Sequence, residues 1–363
     1  MNPTRLLSVV AAAAAMLAIV GAAHAGEPPS AESPPRQRMT AIRLGGPITI
    51  TCYAEADAAK PAIDAALAEA KRLDLVLSDY DPDSELRRLE DAIAARRSMA
   101  ISSDLRQTLF VDAAAVAAAT DGAFDPTVGP LTRLWRRTRR TRRPHDSERI
   151  ARARDRVGFR YLTKIAVAET ADGTIAQPSA ATPPLQFDLG GIAKGAVLDA
   201  MADAMRGRGV DDFLIDAGGD LIAGGSPPGR DGWTVAIAPL DPTQLPTETI
   251  ALRDGEAVAT SGDAARFIAS GGERESHILD PRTGRGVRFR SSVSVRTAGH
   301  AAYADALASA ISVLGVTDSK TMIAADRPET FPQSLPWPPA VRIAWVDDEG
   351  RHAWRSPGWR SPE

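Results

Sequence analysis

The sequence has one cysteine in 363 residues, Cys52, which excludes an internal disulfide framework and any cysteine-based metal site. Lysine is scarce too. Only five of the 43 basic residues are Lys, and beside so much Ala this skew fits a GC-rich coding sequence better than a function. Neither charge sign dominates: 43 basic against 46 acidic residues leave a net −3, too little for a global nucleic-acid field. Beyond residue 20 no apolar run approaches the roughly 18 residues that would suggest a membrane span. No internal repeat and no clean domain boundary is visible. What is present is ordinary globular composition, 44% hydrophobic and 25% charged, so wholesale disorder is excluded. The length suits one large domain or two of about 150 residues each.

The N-terminus reads as a processing segment. Arg5 supplies a positive start, Leu6 to Val20 is an uncharged Ala-rich run, and Ala23-His24-Ala25 places small residues where a signal peptidase reads them. The expectation is a signal peptide over 1–25, a Pro/Ser/Glu-rich linker over 26–38, and one domain over 39–363. No Cys follows the apolar run, so the mature chain is expected to be exported and periplasmic rather than a lipoprotein.

Along the mature chain, Ile48 to Tyr53 alternates like a strand and Ala58 to Leu77 has helical spacing, with Pro61 in the tolerant first turn. Glu85-Leu86 opens a short helix, and a second runs from Ser103-Asp104 to Thr120. Arg133 to Arg143 carries seven Arg, and Asp146 to Val157 is a charged helix. Strands are expected at Leu185–Phe187, Phe213–Ile215, Thr234–Ile237, Ala257–Thr260, Ser276–Leu279 and Ser292–Val295, with Val341–Val346 closing the chain. Helices are expected from Ile192 to Arg206 and from Tyr303 to Leu314. Helices and antiparallel-looking strands without a βαβ period give an α+β fold, with mixed, largely antiparallel sheets and packed helices.

Four features carry chemistry. Asp188-Leu189-Gly190-Gly191-Ile192-Ala193-Lys194-Gly195 joins a strand to a helix start, where free N–H groups and a Lys suit an anion, although a glycine pair there is often only a tight turn. Its glycine spacing matches neither a dinucleotide fingerprint nor a P-loop. Asp216-Ala217-Gly218-Gly219-Asp220 follows an apolar strand and reads either as close backbone approach to a ligand or as a hairpin turn. Asp305 and Ser309 lie four apart on one helix face, a carboxylate and a hydroxyl that suit Mg²⁺ or simply face solvent. The Arg133–Arg143 run lacks aromatic interleaving and reads as a solvated surface rather than a nucleic-acid site.

The motifs become specific in series. Leu77-Ser78-Asp79-Tyr80-Asp81-Pro82-Asp83-Ser84-Glu85-Leu86 is followed by Asp121-Gly122-Ala123-Phe124-Asp125-Pro126-Thr127-Val128-Gly129-Pro130-Leu131, then the Asp188–Gly195 motif. Ala217-Gly218-Gly219-Asp220, Ser261-Gly262-Asp263, Ser276 to Gly284 and Ala304-Asp305-Ala306-Leu307-Ala308-Ser309-Ala310 complete the order. From about residue 39 to beyond 346 the series resembles the ApbE family of FAD:protein FMN transferases. That resemblance implies an exported, Mg²⁺-dependent enzyme. It would split FAD at the diphosphate and attach FMN to a Thr or Ser hydroxyl of a partner flavoprotein, releasing AMP.

Carried over by position, it implies flavin contacts by Tyr80 and Leu44. Ala123, Phe124, Asp125, Asp188 and Leu279 would line the FAD site, and Lys194 would meet the diphosphate. Gly191 (through its carbonyl), Asp305 and Ser309 would hold the metal. His277 would be the general base, a role that suits an imidazole with its ordinary pKa near 6.5. The chain departs from the family pattern at Leu44-Gly45-Gly46-Pro47, where Met-Gly-Thr is usual. It also has Ser309 for a Thr, and Asp216 for an Asn or Ser. Two other activities remain open: hydrolysis of FAD to FMN and AMP, and flavin binding without catalysis.

Overall fold

The computed structural model describes residues 33–359, apart from 142–145, 172, 242, 247, 263–266, 271–272 and 334–336. The expected signal peptide and most of the linker lie outside the described residues, as do Asp263, Arg142 and Arg143. Arg36–Arg38, assigned above to the linker, already pair with Tyr53, Cys52 and Thr51 in the first strand ladder.

Eight strands make the central sheet: β1 (Arg36–Arg43), β2 (Gly46–Tyr53), β3 (Phe213–Ala217), β4 (Asp220–Gly224), β5 (Glu256–Gly262), β6 (Arg290–Ala298), β7 (Ala340–Asp347) and β8 (Gly350–Arg355). Their order across the sheet is their order along the chain. Every pairing between neighbours is antiparallel. The α+β expectation therefore holds.

Strand alternation divides the core into two layers. Ile215, Ile222 and Ala257 join the large cluster on one face, while their neighbours Leu214, Leu221 and Val258 join a second cluster on the other. That second cluster is closed by the hairpin Trp233–Ala236 and Thr249–Leu252, through Trp233, Ile250 and Leu252.

The helices are α1 (Ala56–Leu77), α2 (Glu85–Ala94), α3, α4 (Gly129–Thr141), α5 (Ser147–Arg154), α6 (Ala193–Arg206) and α7 (Ala301–Ala324). α3 is continuous through Ser103–Leu105, Arg106–Ala113 and Ala114–Ala119, with its middle wound more widely than an α-helix. α7 passes the expected end at Leu314 because Gly315, at φ 72°, kinks the chain and helix resumes beyond it.

Three strand expectations need correction. Leu185–Phe187 is irregular: Phe187 N–H donates to the Glu90 carboxylate at 2.7 Å and Asp188 N–H to the Pro126 carbonyl at 2.9 Å, so no strand ladder satisfies them. Ser276–Leu279 is two strand ends, Glu273–Ser276 and Leu279–Asp280, with His277 and Ile278 in the bend between. The strand at Val341–Val346 does not close the chain, because β8 pairs beyond it.

Gly195 sets the packing that matters most for the site. A Cβ at this position would lie 2.3–2.5 Å from backbone atoms of Ala301 and Ala302, so α6 and α7 touch backbone to backbone here. Asp199, one turn on, accepts from Ala301 N–H at 2.6 Å and Ala302 N–H at 3.1 Å, capping α7 from a neighbouring helix. Gly195→Ala should gain about 1 kcal/mol of helix propensity. Overlap with backbone that cannot rotate away costs roughly 1–3 kcal/mol or more, so overlap wins. The melting temperature should fall by several degrees; an unchanged melt would show that α6 and α7 can part freely.

Candidate functional site

The helix contact at Gly195 brings together charges from distant stretches of chain. Lys194 lies in the first turn of α6, and Asp305 lies just beyond the first turn of α7. Asp220 opens β4 after a turn in which Gly218 and Gly219 take φ of 69° and 100°, conformations suited to glycine. Lys194 Nζ donates to Asp305 Oδ1 at 3.1 Å and to Asp220 Oδ2. Asp220 Oδ1 accepts from Thr260 N–H at 3.0 Å, which ties the cluster to β5. Both carboxylates keep only 5% of their side-chain surface exposed, against 39% for the Lys194 side chain as a whole.

Two carboxylates therefore share one cation in a buried place. Burial pushes Asp305 up to about 6, with Lys194 pulling it down and Asp220 pushing it further up. For Lys194, burial opposes the charge, but Asp220 and Asp305 outweigh it and hold the ammonium above its ordinary value.

Ser309 stands one helical turn after Asp305 on the same face. Its Oγ is 3.3 Å from Ser261 Oγ on β5 and would be 2.8 Å from a Cβ at Gly191. A side chain at this position would have to displace the Ser309 hydroxyl. Asp305, Ser309 and the Gly191 backbone thus offer hard oxygen donors around a surplus of negative charge, the chemistry a small divalent cation prefers. Among the described residues no three His, Cys, Asp or Glu side chains are grouped so as to hold a metal ion, so such a cation would depend on hydroxyl and carbonyl oxygens beside the carboxylate.

At Arg133 and Arg136 the Arg-rich stretch departs from the solvated-surface expectation. Its described part, through Thr141, is helical, and the three-residue step from Arg133 to Arg136 keeps both on one face. Arg133 reaches buried Glu90 at 2.8 Å. Arg136 reaches Asp79 at 2.5 Å and Asp188 at 3.1 Å, and its guanidinium lies 4.1 Å from the Tyr80 ring centre. Arg137, Arg139 and Arg140 are exposed as expected. Asp79 is pushed up to about 6 by burial and then by the Asp188 charge, with Arg136 pulling it down. Tyr80 remains 76% exposed, an accessible aromatic beside this ion cluster.

Asp188 also accepts from Gly190 N–H at 2.8 Å, shaping the loop before α6. Asp125 is buried in the loop that follows α3. Its two oxygens accept from Thr127 N–H and Oγ1 and from Phe159 N–H, all within 2.8 Å, so the buried carboxylate braces its own loop. Ala123 and Phe124 are buried in the main core, and Phe124 Cε2 would be 3.4 Å from a Cβ at Gly191. Leu44 sits in the β1–β2 turn at φ 51°, half-buried against the same core.

His277 is half-buried at the bend between two short strands that belong to separate two-stranded sheets. Its ring is tilted against Trp135 of α4, with centres 6.2 Å apart. Among the described residues the buried Trp135 Nε1–H has no hydrogen-bond partner. Leu279 packs with Leu131, Ala153 and Val157 in a small cluster away from the central sheet. Sequence reasoning assigned no role to Asp79, Arg136, Asp220 or Asp199. The step from Arg133 across Trp135 to Arg136 was a helical signal, but the tertiary partners were not visible. Asp216, which stands where the family pattern has Asn or Ser, caps its own turn by accepting from Gly219 N–H at 2.8 Å.

The ApbE family profile matches residues 44–331. The chain belongs to the ApbE family. It is 32% identical over 289 residues to the FAD:protein FMN transferase of Vibrio cholerae, covering 76% of this chain and 81% of that protein. To the FAD:protein FMN transferase of Rhodobacter capsulatus it is 34% identical over 235 residues, 64% of this chain and 43% of that longer protein. Among solved structures, the apo flavinyl transferase ApbE of Pseudomonas stutzeri superposes with a TM-score of 0.74 at 25% identity, covering 90% of this chain and 96% of its own. The flavin transferase ApbE of Vibrio cholerae gives 0.70 at 25% identity, covering 89% and 98%. These ApbE structures share the α+β architecture described above.

Proposed function

We propose that this protein is an FAD:protein FMN transferase that moves FMN from FAD to a Thr or Ser hydroxyl of a partner flavoprotein. The acceptor oxygen bonds to the FMN phosphorus, the bond from that phosphorus to the bridging oxygen breaks, and AMP leaves. The hydroxyl proton passes to His277. The observation that carries the reading is the convergence of Lys194, Asp220, Asp305, Ser309 and Gly191 where α6 meets α7, in a chain whose curated relatives are FAD:protein FMN transferases.

Asp305, Ser309 and the Gly191 carbonyl would hold Mg²⁺, whose chemistry is to neutralise diphosphate oxygens and make phosphorus a better electrophile. Lys194 adds a fixed positive charge next to that site. Tyr80 offers an aromatic face to a planar ring system and Asp188 a hydrogen-bond acceptor. The N-terminal sequence supports export to the periplasm, and no helix among the described residues is long and apolar enough to cross a membrane.

Incubation with FAD, Mg²⁺ and an acceptor peptide bearing Ser or Thr tests the reading. Flavin covalently bound to the peptide, with one AMP per transfer, is the expected result. Free FMN with AMP would make the protein a hydrolase, and unchanged FAD would leave it a binding protein.

A further inference from the structure

Among the described residues of the basic run, Arg136 alone joins two stretches that the resemblance implicates in flavin recognition. It comes from α4, Asp79 and Tyr80 from the loop after α1, and Asp188 from the loop before α6. Asp79 and Asp188 keep 7% and 12% of their side-chain surface exposed, so both charges are largely withdrawn from water. Two such carboxylates repel, and the guanidinium is what holds them together, one N–H group on each. The same planar group lies on the Tyr80 ring, a geometry in which cation and ring attract. One side chain thus fixes the carboxylate and the ring relative to each other.

We infer that Arg136 is a positioning residue for the flavin end of FAD, holding the Tyr80 ring and the Asp188 carboxylate in the relative placement that the substrate needs. The inference rests on the transferase reading and deepens it. Lysine cannot replace arginine in this role, because a single ammonium offers neither the planar fork nor its stacking surface. The repulsion argument also singles out Asp79. Once Arg136 is gone, Asp79 is the charge that pushes on Asp188, so neutralising Asp79 should restore the placement in part.

FAD binding is measured without an acceptor, by quenching of isoalloxazine fluorescence, beside thermal melts and transfer kinetics. Arg136→Ala should weaken FAD binding roughly 10- to 100-fold, the range expected for losing hydrogen bonds to charged groups. Bound-state quenching should be shallower, while kcat at saturating FAD stays within about three-fold because the chemistry at phosphorus is untouched. Arg136→Lys should resemble Arg136→Ala, and Asp79→Asn on the Arg136→Ala background should recover at least part of the lost affinity.

Unchanged FAD binding by Arg136→Ala overturns the inference. So does a loss of binding that follows a lowered melting temperature, is fully restored by Lys, or is not relieved by Asp79→Asn. A wild-type protein that quenches no FAD fluorescence overturns the transferase reading and takes this inference with it, whereas wild-type binding with an indifferent Arg136→Ala overturns this inference alone.

Discussion

Asp305→Ala should fold at least as well as the wild type and transfer almost no flavin at any Mg²⁺ concentration. The two effects have one cause. Asp305 is the second carboxylate around a single ammonium, so removing it leaves Lys194 and Asp220 as a balanced pair. The same surplus charge makes the site attractive to a divalent cation, and its loss removes the only anionic ligand assigned to the metal. Charge neutralisation by a metal is worth several kcal/mol in a phosphoryl-type transition state, so turnover should fall by about 10³-fold or more.

The pH dependence gives the stability half its own test. Folding raises Asp305 from its ordinary 3.8 to about 6, so the folded chain holds this proton longer than the unfolded chain does. Stability from this group is present at low pH and is lost as the pH rises through about 6. Removing the carboxylate should therefore raise the melting temperature more at pH 7.5 than at pH 4.5, measured without Mg²⁺. Ser309→Ala removes a neutral donor that water can replace, so its defect should be milder and recoverable with excess Mg²⁺. Ser309→Thr keeps the oxygen and should be tolerated. An Asp305→Ala enzyme with wild-type Mg²⁺ dependence would show that this helix face holds no metal.

The legible part of the fold was the part governed by local periodicity. α1 announces itself through buried Ile63, Ala70 and Leu73, and β3 and β5 through short apolar runs between glycine-rich turns. Leu185–Phe187 misled because alternating apolar residues suit a strand, while here the backbone donors are taken by the Glu90 carboxylate and the Pro126 carbonyl. The wide winding in α3 was equally hidden, as was the tertiary bond that its buried Asp112 accepts from Tyr303 Oη–H on a helix nearly two hundred residues away.

The site divides along the same line. Asp305 and Ser309 could be paired from their spacing alone, because four residues on a helix fix a common face. The Gly191 and Gly195 close approaches could not, since they depend on where α7 crosses α6. Arg136 was masked by its company: among seven arginines nothing in the sequence distinguishes the one that meets Asp79 and Asp188 from those facing water. Local charge density pointed to a solvated surface, and tertiary pairing reversed that for Arg133 and Arg136 while leaving it correct for Arg137, Arg139 and Arg140.

His277→Ala should abolish transfer while FAD still binds within several-fold of wild type. A base acts in the transition state, where the acceptor proton moves, and adds little to the affinity of a substrate that carries no such proton. General base catalysis contributes about 10²–10⁴-fold, and that is the expected loss in turnover. Alanine also removes the ring that packs on Trp135, so His277→Gln, which refills much of that volume but accepts no proton at neutral pH, separates packing from chemistry. Both variants should lose transfer, and Gln should melt closer to wild type. An imidazole must be neutral to accept a proton, so wild-type transfer should decline on the acidic side while the residual activity of either variant should not follow that limb. Half of wild-type turnover in His277→Gln would mean that another group takes the proton and that this imidazole serves only to pack against Trp135.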